Sequence, residues 1–176
     1  MKLSIERAIT QLERSAAAIE ALCRDPGLEP HWKPSPEEWS TVEVLGHLAD
    51  EEREDFRPRL DITLHHPDRP WPPLDPEGRV KKLDFASRDP QAALDDFLEE
   101  RERSIEWLRT LDEPDWSISR THPRGFELHA GDFFTSWVAH DLLHLRQITR
   151  LQFGWIAATA EPYSTLYAGE WEPSAD

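Results

Sequence analysis

Phe133-Phe134-Thr135-Ser136-Trp137-Val138-Ala139-His140-Asp141-Leu142-Leu143-His144-Leu145-Arg146-Gln147-Ile148 is the stretch that decides the fold. Phe133, Trp137, His140, His144, Gln147 and Leu151 recur at i, i+4, i+7, i+11, i+14 and i+18, the spacing of one inward helical stripe. A helix is expected over about residues 130–153, closed by Gly154. Two imidazoles one turn apart leave one face together and can bind a single metal ion. Set among core aromatics, they need a partner, because burying unsatisfied polar groups is costly.

Three more amphipathic helices are legible upstream. The first runs over about 3–23, with Ile5, Ile9, Leu12, Ala16, Ile19 and Cys23 on one stripe and Asp25-Pro26-Gly27 as its stop. The second spans about 40–64. Ser40 and Glu43 match a capping box at its start, and Trp39 and Val44 match a hydrophobic staple. Val44, Leu45, His47, Leu48 and Phe56 form its apolar side, and Pro58 is expected to kink its second half. The third spans about 89–112. Asp89 is its N-cap, Pro90 its first residue, and Leu94, Phe97, Leu98, Arg101, Ile105, Leu108 and Leu111 its stripe.

These four helices predict an all-α four-helix bundle formed by one domain over 1–176. No strand pattern stands out. The proline-rich link 65–88 and the link 112–129 are long for a compact domain, so a simple up-down-up-down series is not expected. Trp71 and its neighbouring prolines are candidates to wall a pocket. The segment after Gly154 reads as a coil tail over the bundle.

A charged fraction of 31% and an apolar fraction of 38% fit a globular chain. The net charge of −15 disfavours nucleic-acid phosphates and anionic membranes as partners. No apolar run approaches the roughly 20 residues of a membrane span. The amino-terminal segment has acidic residues and no apolar signal core, and the sole cysteine, Cys23, reads as a small buried hydrophobe. A cytoplasmic location is the expectation.

His47, on the apolar side of the second helix, joins His140 and His144 as a candidate metal ligand. Three imidazoles with an open fourth position are the pattern of a catalytic zinc site. Glu43 and Glu51 flank His47 at i−4 and i+4, so either can orient it, and Glu51 is also the candidate catalytic proton acceptor. Asp141 points about 100° away from His140 and is the weaker choice. His129 lies about 16 Å along the helix from His140, too far to share its metal, and reads as a helix-start or surface residue. His31, His65, His66 and His122 read as surface residues. For each histidine alone, the alternative is a core residue hydrogen-bonded to a neighbour.

Other chemistries lack their residues. There is no GxGxxG, GxxxxGK[ST], HExxH or GxSxG. A di-iron bundle needs two ExxH motifs, which are absent.

Trp39-Ser40-Thr41-Val42-Glu43-Val44-Leu45-Gly46-His47-Leu48-Ala49-Asp50, with Trp137 to Ile148, resembles the DinB-like (DinB/YfiT-like) superfamily of four-helix metal-dependent hydrolases and thiol transferases. The resemblance covers about residues 3–153 and carries its ligand positions onto His47, His140 and His144. It implies one divalent ion, zinc or nickel, and a homodimer. The implied partner is a small-molecule substrate, with a low-molecular-weight thiol among the candidates. His129 stands where that family usually has a threonine or serine cap, which predicts a weaker cap. Metal-assisted hydrolysis and thiol transfer remain open together, and so does a non-catalytic metal-binding or stress-associated module.

Overall fold

The computed structural model describes residues 4–24, 29–73, 75–122, 125–169 and 171. Helix α1 is Ile5–Cys23, with Ser4 as its N-cap. Helix α2, Thr41–Asp50, begins at the expected capping box: the Ser40 hydroxyl accepts from the Glu43 N–H, and Glu43 Oε2 accepts from the Ser40 N–H at 2.8 Å. Helix α5, Pro90–Arg109, starts on Asp89, whose carboxylate accepts from the Ala92 N–H. The proposed stop of α1 at Asp25-Pro26-Gly27 lies outside the described residues.

The second helix departs from its expected form. Between α2 and α3 (Arg57–His65) the chain makes a π-helical segment, Glu51–Phe56. Pro58 therefore sits in the first turn of α3 rather than kinking a helix interior. The wider π turn spares the proline ring the clash with a preceding carbonyl that it meets inside an α-helix. The extra residue also carries Glu51, Glu52, Asp55 and Phe56 into the interior.

Helix α6 runs Ala130–Thr159, six residues past the expected end. Gly154 is not its stop. A Cβ there would meet the Trp32 ring at 3.0 Å, so the glycine serves a close approach of that indole. The N-terminus of α6 is firmly capped despite His129, because Asp132 Oδ2 accepts from the His129 N–H at 3.0 Å and lies 2.9 Å from its Nδ1.

Two short strands correct the expectation of none: β1 (Ser119–Thr121) pairs antiparallel with β2 (Glu127–His129), with Arg120 opposite Leu128. The Arg120 guanidinium fastens this hairpin to the end of α3 through the carbonyls of Ile62, His66 and Arg69. The 65–88 link is likewise structured. It carries helix α4, Pro76–Lys82, and a 3-10 turn at Phe85–Ser87. Arg79 of α4 grips Asp50 with two bonds of 2.5 and 2.6 Å. Of the expected coil tail, residues 155–159 belong to α6 instead; beyond them Tyr163 and Tyr167 face solvent, while Trp171 packs 5.8 Å from the Phe153 ring.

Around the bundle the neighbours run α1, α5, α2 with α3, then α6 and back to α1. The first and second helices thus stand diagonally, as do the third and fourth, which is why the long links are needed. Two apolar clusters fill the interior. One is built on Ile19, Leu45, Leu48, Phe97 and Ile148, the other on Leu12, Phe56, Leu60, Leu108 and Trp137. Between them lies a layer of polar side chains. No described helix is long and apolar enough to cross a membrane.

Candidate metal centre

Helices α2 and α6 bring His47, His140 and His144 together in that layer. One ring nitrogen from each lies within 4.8 Å of the others. Among the described residues, no other His, Cys, Asp or Glu group of three or more meets this standard. His140 and His144 approach closest, with their Nε2 atoms 3.1 Å apart. Nitrogens held about 2.0–2.1 Å from a tetrahedral zinc are roughly 3.3 Å from one another, so this pair has the spacing of a chelating pair.

Burial sets the protonation of the rings. His47 is driven down to about 3, first by burial and then by the nearness of His144. Burial likewise drives His140 to about 2, with His144, His47 and Arg101 adding to the effect. Burial also lowers His144, while Gln147 and Asp141 oppose it. All three imidazoles are therefore neutral at pH 7, the state that offers a lone pair to a metal. This donor set fits a divalent ion.

The surroundings hold each ring in place. Gln147 Oε1 lies 2.8 Å from His144 Nδ1. Trp39 packs on His47 with ring centroids 4.9 Å apart, and Phe56 meets His140 edge-on at 5.1 Å. An open cleft is lined by Glu37, Glu38 and two residues that contact ligands, Trp39 and Gln147. Trp71 stands two rings beyond Phe56, against Phe133 at 5.6 Å, and borders a separate cleft with Pro70, Arg120 and Thr121.

Of the two glutamates flanking His47, Glu43 is committed elsewhere, to Ser40 and to Lys33 at 2.6 Å. Glu51 stays close, with Oε1 3.7 Å from His47 Nδ1 and without a hydrogen-bond partner among the described residues. Burial, then the charges of Asp55 and Asp50, hold the Glu51 carboxyl well above the usual carboxylate range. Burial raises the Asp55 carboxyl as well, and Arg59 Nε stands 2.8 Å from Asp55 Oδ1, off the hydrogen-bonding direction.

Sequence reasoning missed a second set of buried charges in the same layer. Arg101 Nη1 and Nη2 donate to Asp141 at 2.5 and 2.8 Å, and Nη2 also donates to Glu52 Oε1 at 2.7 Å. Arg101 stood on the apolar stripe of the third helix, and a charge on a core stripe is itself the signal that a buried partner exists. Of the outlying histidines, His31, His65, His66 and His129 are exposed, whereas His122, expected at the surface, is half-buried against Phe126, ring centroids 4.5 Å apart.

A family model, that of the DinB superfamily, matches residues 4–148. Among solved structures, the chain is similar to YfiT from Bacillus subtilis, described as a probable metal-dependent hydrolase with an unusual four-helix bundle topology. The TM-score is 0.70 at 23% identity, over 88% of this chain and 91% of that one. It is also similar to a mutant of the mycothiol-dependent maleylpyruvate isomerase, with a TM-score of 0.65 at 14% identity, over 83% of this chain and 61% of that one. At these identities the two likenesses are of fold. No curated protein matches the chain.

Proposed function

The chain belongs to the DinB superfamily, and from that premise we propose that it is a metal-dependent enzyme acting on a small molecule, with His47, His140 and His144 as its ligands. The observation that carries this reading is the convergence of three neutral imidazoles within 4.8 Å, His47 and His144 buried and His140 half-buried. Imidazole donors suit zinc and nickel, and either is the expected ion. When bound, it supplies Lewis-acid activation of water or of a low-molecular-weight thiol. The reading takes 1–176 as a single cytoplasmic domain and, from the family resemblance, a homodimer.

The chain's own residues divide the remaining work. Gln147 fixes the His144 ring and Trp39 shields His47 from solvent. Glu51 takes the proton-transfer role: it holds a proton in the metal-free protein, and its Oε1 faces the ligand set without a competing partner. Positive charge held by the three imidazoles favours the ionised, proton-accepting form of that carboxyl. The cleft of Glu37, Glu38, Trp39 and Gln147 is the approach for the substrate.

The test is elemental analysis of protein purified without an affinity tag. One zinc or nickel per chain is expected, falling to a trace in His140→Ala, and a wild type without stoichiometric metal ends the reading. Incubation with bacillithiol, mycothiol or glutathione and an electrophile then separates thiol transfer, which consumes the thiol, from hydrolysis, which does not.

A further inference from the structure

Arg101 touches all four helices of the bundle. From α5 its guanidinium donates to the Leu12 carbonyl of α1 at 3.2 Å, to Glu52 of the π segment and, with both Nη atoms, to Asp141 of α6. Glu52 Oε1 also accepts from Trp137 Nε1 of α6 at 2.7 Å. Arg101, Glu52 and Asp141 are each 2% exposed or less.

Such a cluster is a poor device for stability alone. Two carboxylates meet one guanidinium, Glu52 Oε2 and Arg101 Nε lack partners among the described residues, and well-packed apolar side chains serve stability as well or better. Its placement indicates another use. Asp141 is next in sequence to His140, Glu52 is next to Glu51, and Trp137 lies one turn before His140. A forked, two-bond grip on Asp141 fixes both the rotation of α6 about its axis and its slide along the bundle. The same guanidinium fixes the π turn that carries Glu51. Metal centres need their ligands held to within about 0.5 Å by a supporting set of bonds.

We propose that Arg101 is the positioning residue of the three-histidine centre, setting α6 and the π segment in register through Asp141 and Glu52. This rests on the metal reading above.

Co2+ is the probe, because its visible absorption reports ligand geometry directly. It is titrated into tag-free wild type, Arg101→Lys, the triple variant Glu52→Gln/Arg101→Met/Asp141→Asn, and Leu108→Ala. The triple variant neutralises all three members of the cluster, so none is left as an unpaired buried charge and it is expected to fold even where Arg101→Lys does not. Leu108→Ala is a core truncation two turns further along α5. Wild type is expected to bind one Co2+ per chain. Arg101→Lys and the triple variant are expected to bind about 10–100-fold more weakly with a changed visible spectrum, the triple variant despite an undiminished melting temperature. Leu108→Ala is expected to melt earlier with wild-type affinity and spectrum. Wild-type binding and spectrum in a folded Arg101 variant overturn the proposal, as does an equal loss in Leu108→Ala. Wild type that binds no Co2+ ends the metal reading itself, and the proposal with it.

Discussion

Gln147 Oε1 accepts a hydrogen bond from His144 Nδ1 at 2.8 Å, and this contact decides which face of the imidazole is free. A carboxamide oxygen only accepts, so Nδ1 carries the proton and the Nε2 lone pair is left to point at His140 Nε2, 3.1 Å away. The amide thus selects the tautomer that a metal requires. Gln147→Leu should weaken metal affinity about 10–100-fold, the usual cost of losing an orienting partner. Gln147→Glu, which keeps an acceptor, should recover most of it. Competition against a chromophoric chelator measures both, and equal affinities for wild type and Gln147→Leu would remove the amide from the site.

An ion bound only by the folded chain stabilises it by mass action. At free metal a thousandfold above Kd the gain is about 4 kcal/mol. For a chain of this length each kcal/mol moves the melting temperature by about 2–4 °C, so chelation should lower it by roughly 8–16 °C. His144→Ala should melt at one temperature with or without chelator. Calorimetry of the four samples checks this, and a wild type indifferent to chelation contradicts it.

The parts of this architecture written in local patterns were legible in the sequence. The Ser40/Glu43 capping box, the Asp89-Pro90 start and the i,i+4 histidines each depend on residues within one turn of one another, so spacing alone exposes them. The π segment escaped because it turns the carboxylates Glu51, Glu52 and Asp55 inward, which leaves no mark in the hydrophobic pattern. Gly154 misled because a glycine reads the same whether it ends a helix or admits the Trp32 ring. The strands of the β1–β2 hairpin are three residues each, largely polar, and held through Arg120 to the distant carbonyls of Ile62, His66 and Arg69, so no alternation announces them. Arg101 was visible as a charge in the wrong place, but its partners Glu52 and Asp141 lie 49 and 40 residues away and only the fold brings them to it.

Gly46, one residue before His47, tests how the 65–88 link is seated. A Cβ at this position would stand 2.7 Å from Phe85 Cγ, and the Phe85 ring is itself buried. Helix propensity alone favours alanine over glycine by about 1 kcal/mol. Overpacking against a buried ring costs about 1–3 kcal/mol and should prevail. Gly46→Ala should therefore shift the urea midpoint downward, and a stabilised variant would show that Phe85 is free to move aside.

Cys23 offers a pH dependence of definite sign. Burial pushes its thiol from 9.0 up to about 12, so the folded chain resists forming a thiolate that the unfolded chain forms readily. With the folded value raised, stability is whole below about pH 9 and is lost as pH climbs from there toward 12. The native thiol should be nearly inert to a disulfide reagent at pH 8 and react once per chain in denaturant. Cys23→Ser should flatten the alkaline fall in stability above pH 9. A fast native reaction at pH 8 would place the thiol in contact with solvent.

Glu51→Gln separates proton transfer from metal holding. The substitution keeps the shape of the side chain and removes a carboxyl that burial, Asp55 and Asp50 disfavour, so the melting temperature at pH 7 should stay level or rise. The three imidazoles are untouched, and the metal content should remain one per chain. Turnover should nevertheless fall about 10²–10⁴-fold, the usual contribution of a positioned acid or base. Metal analysis, calorimetry and thiol-consumption or hydrolysis assays on one preparation settle the three points together. Full turnover in Glu51→Gln would take the proton-transfer role from this residue, while loss of metal would make it a ligand instead.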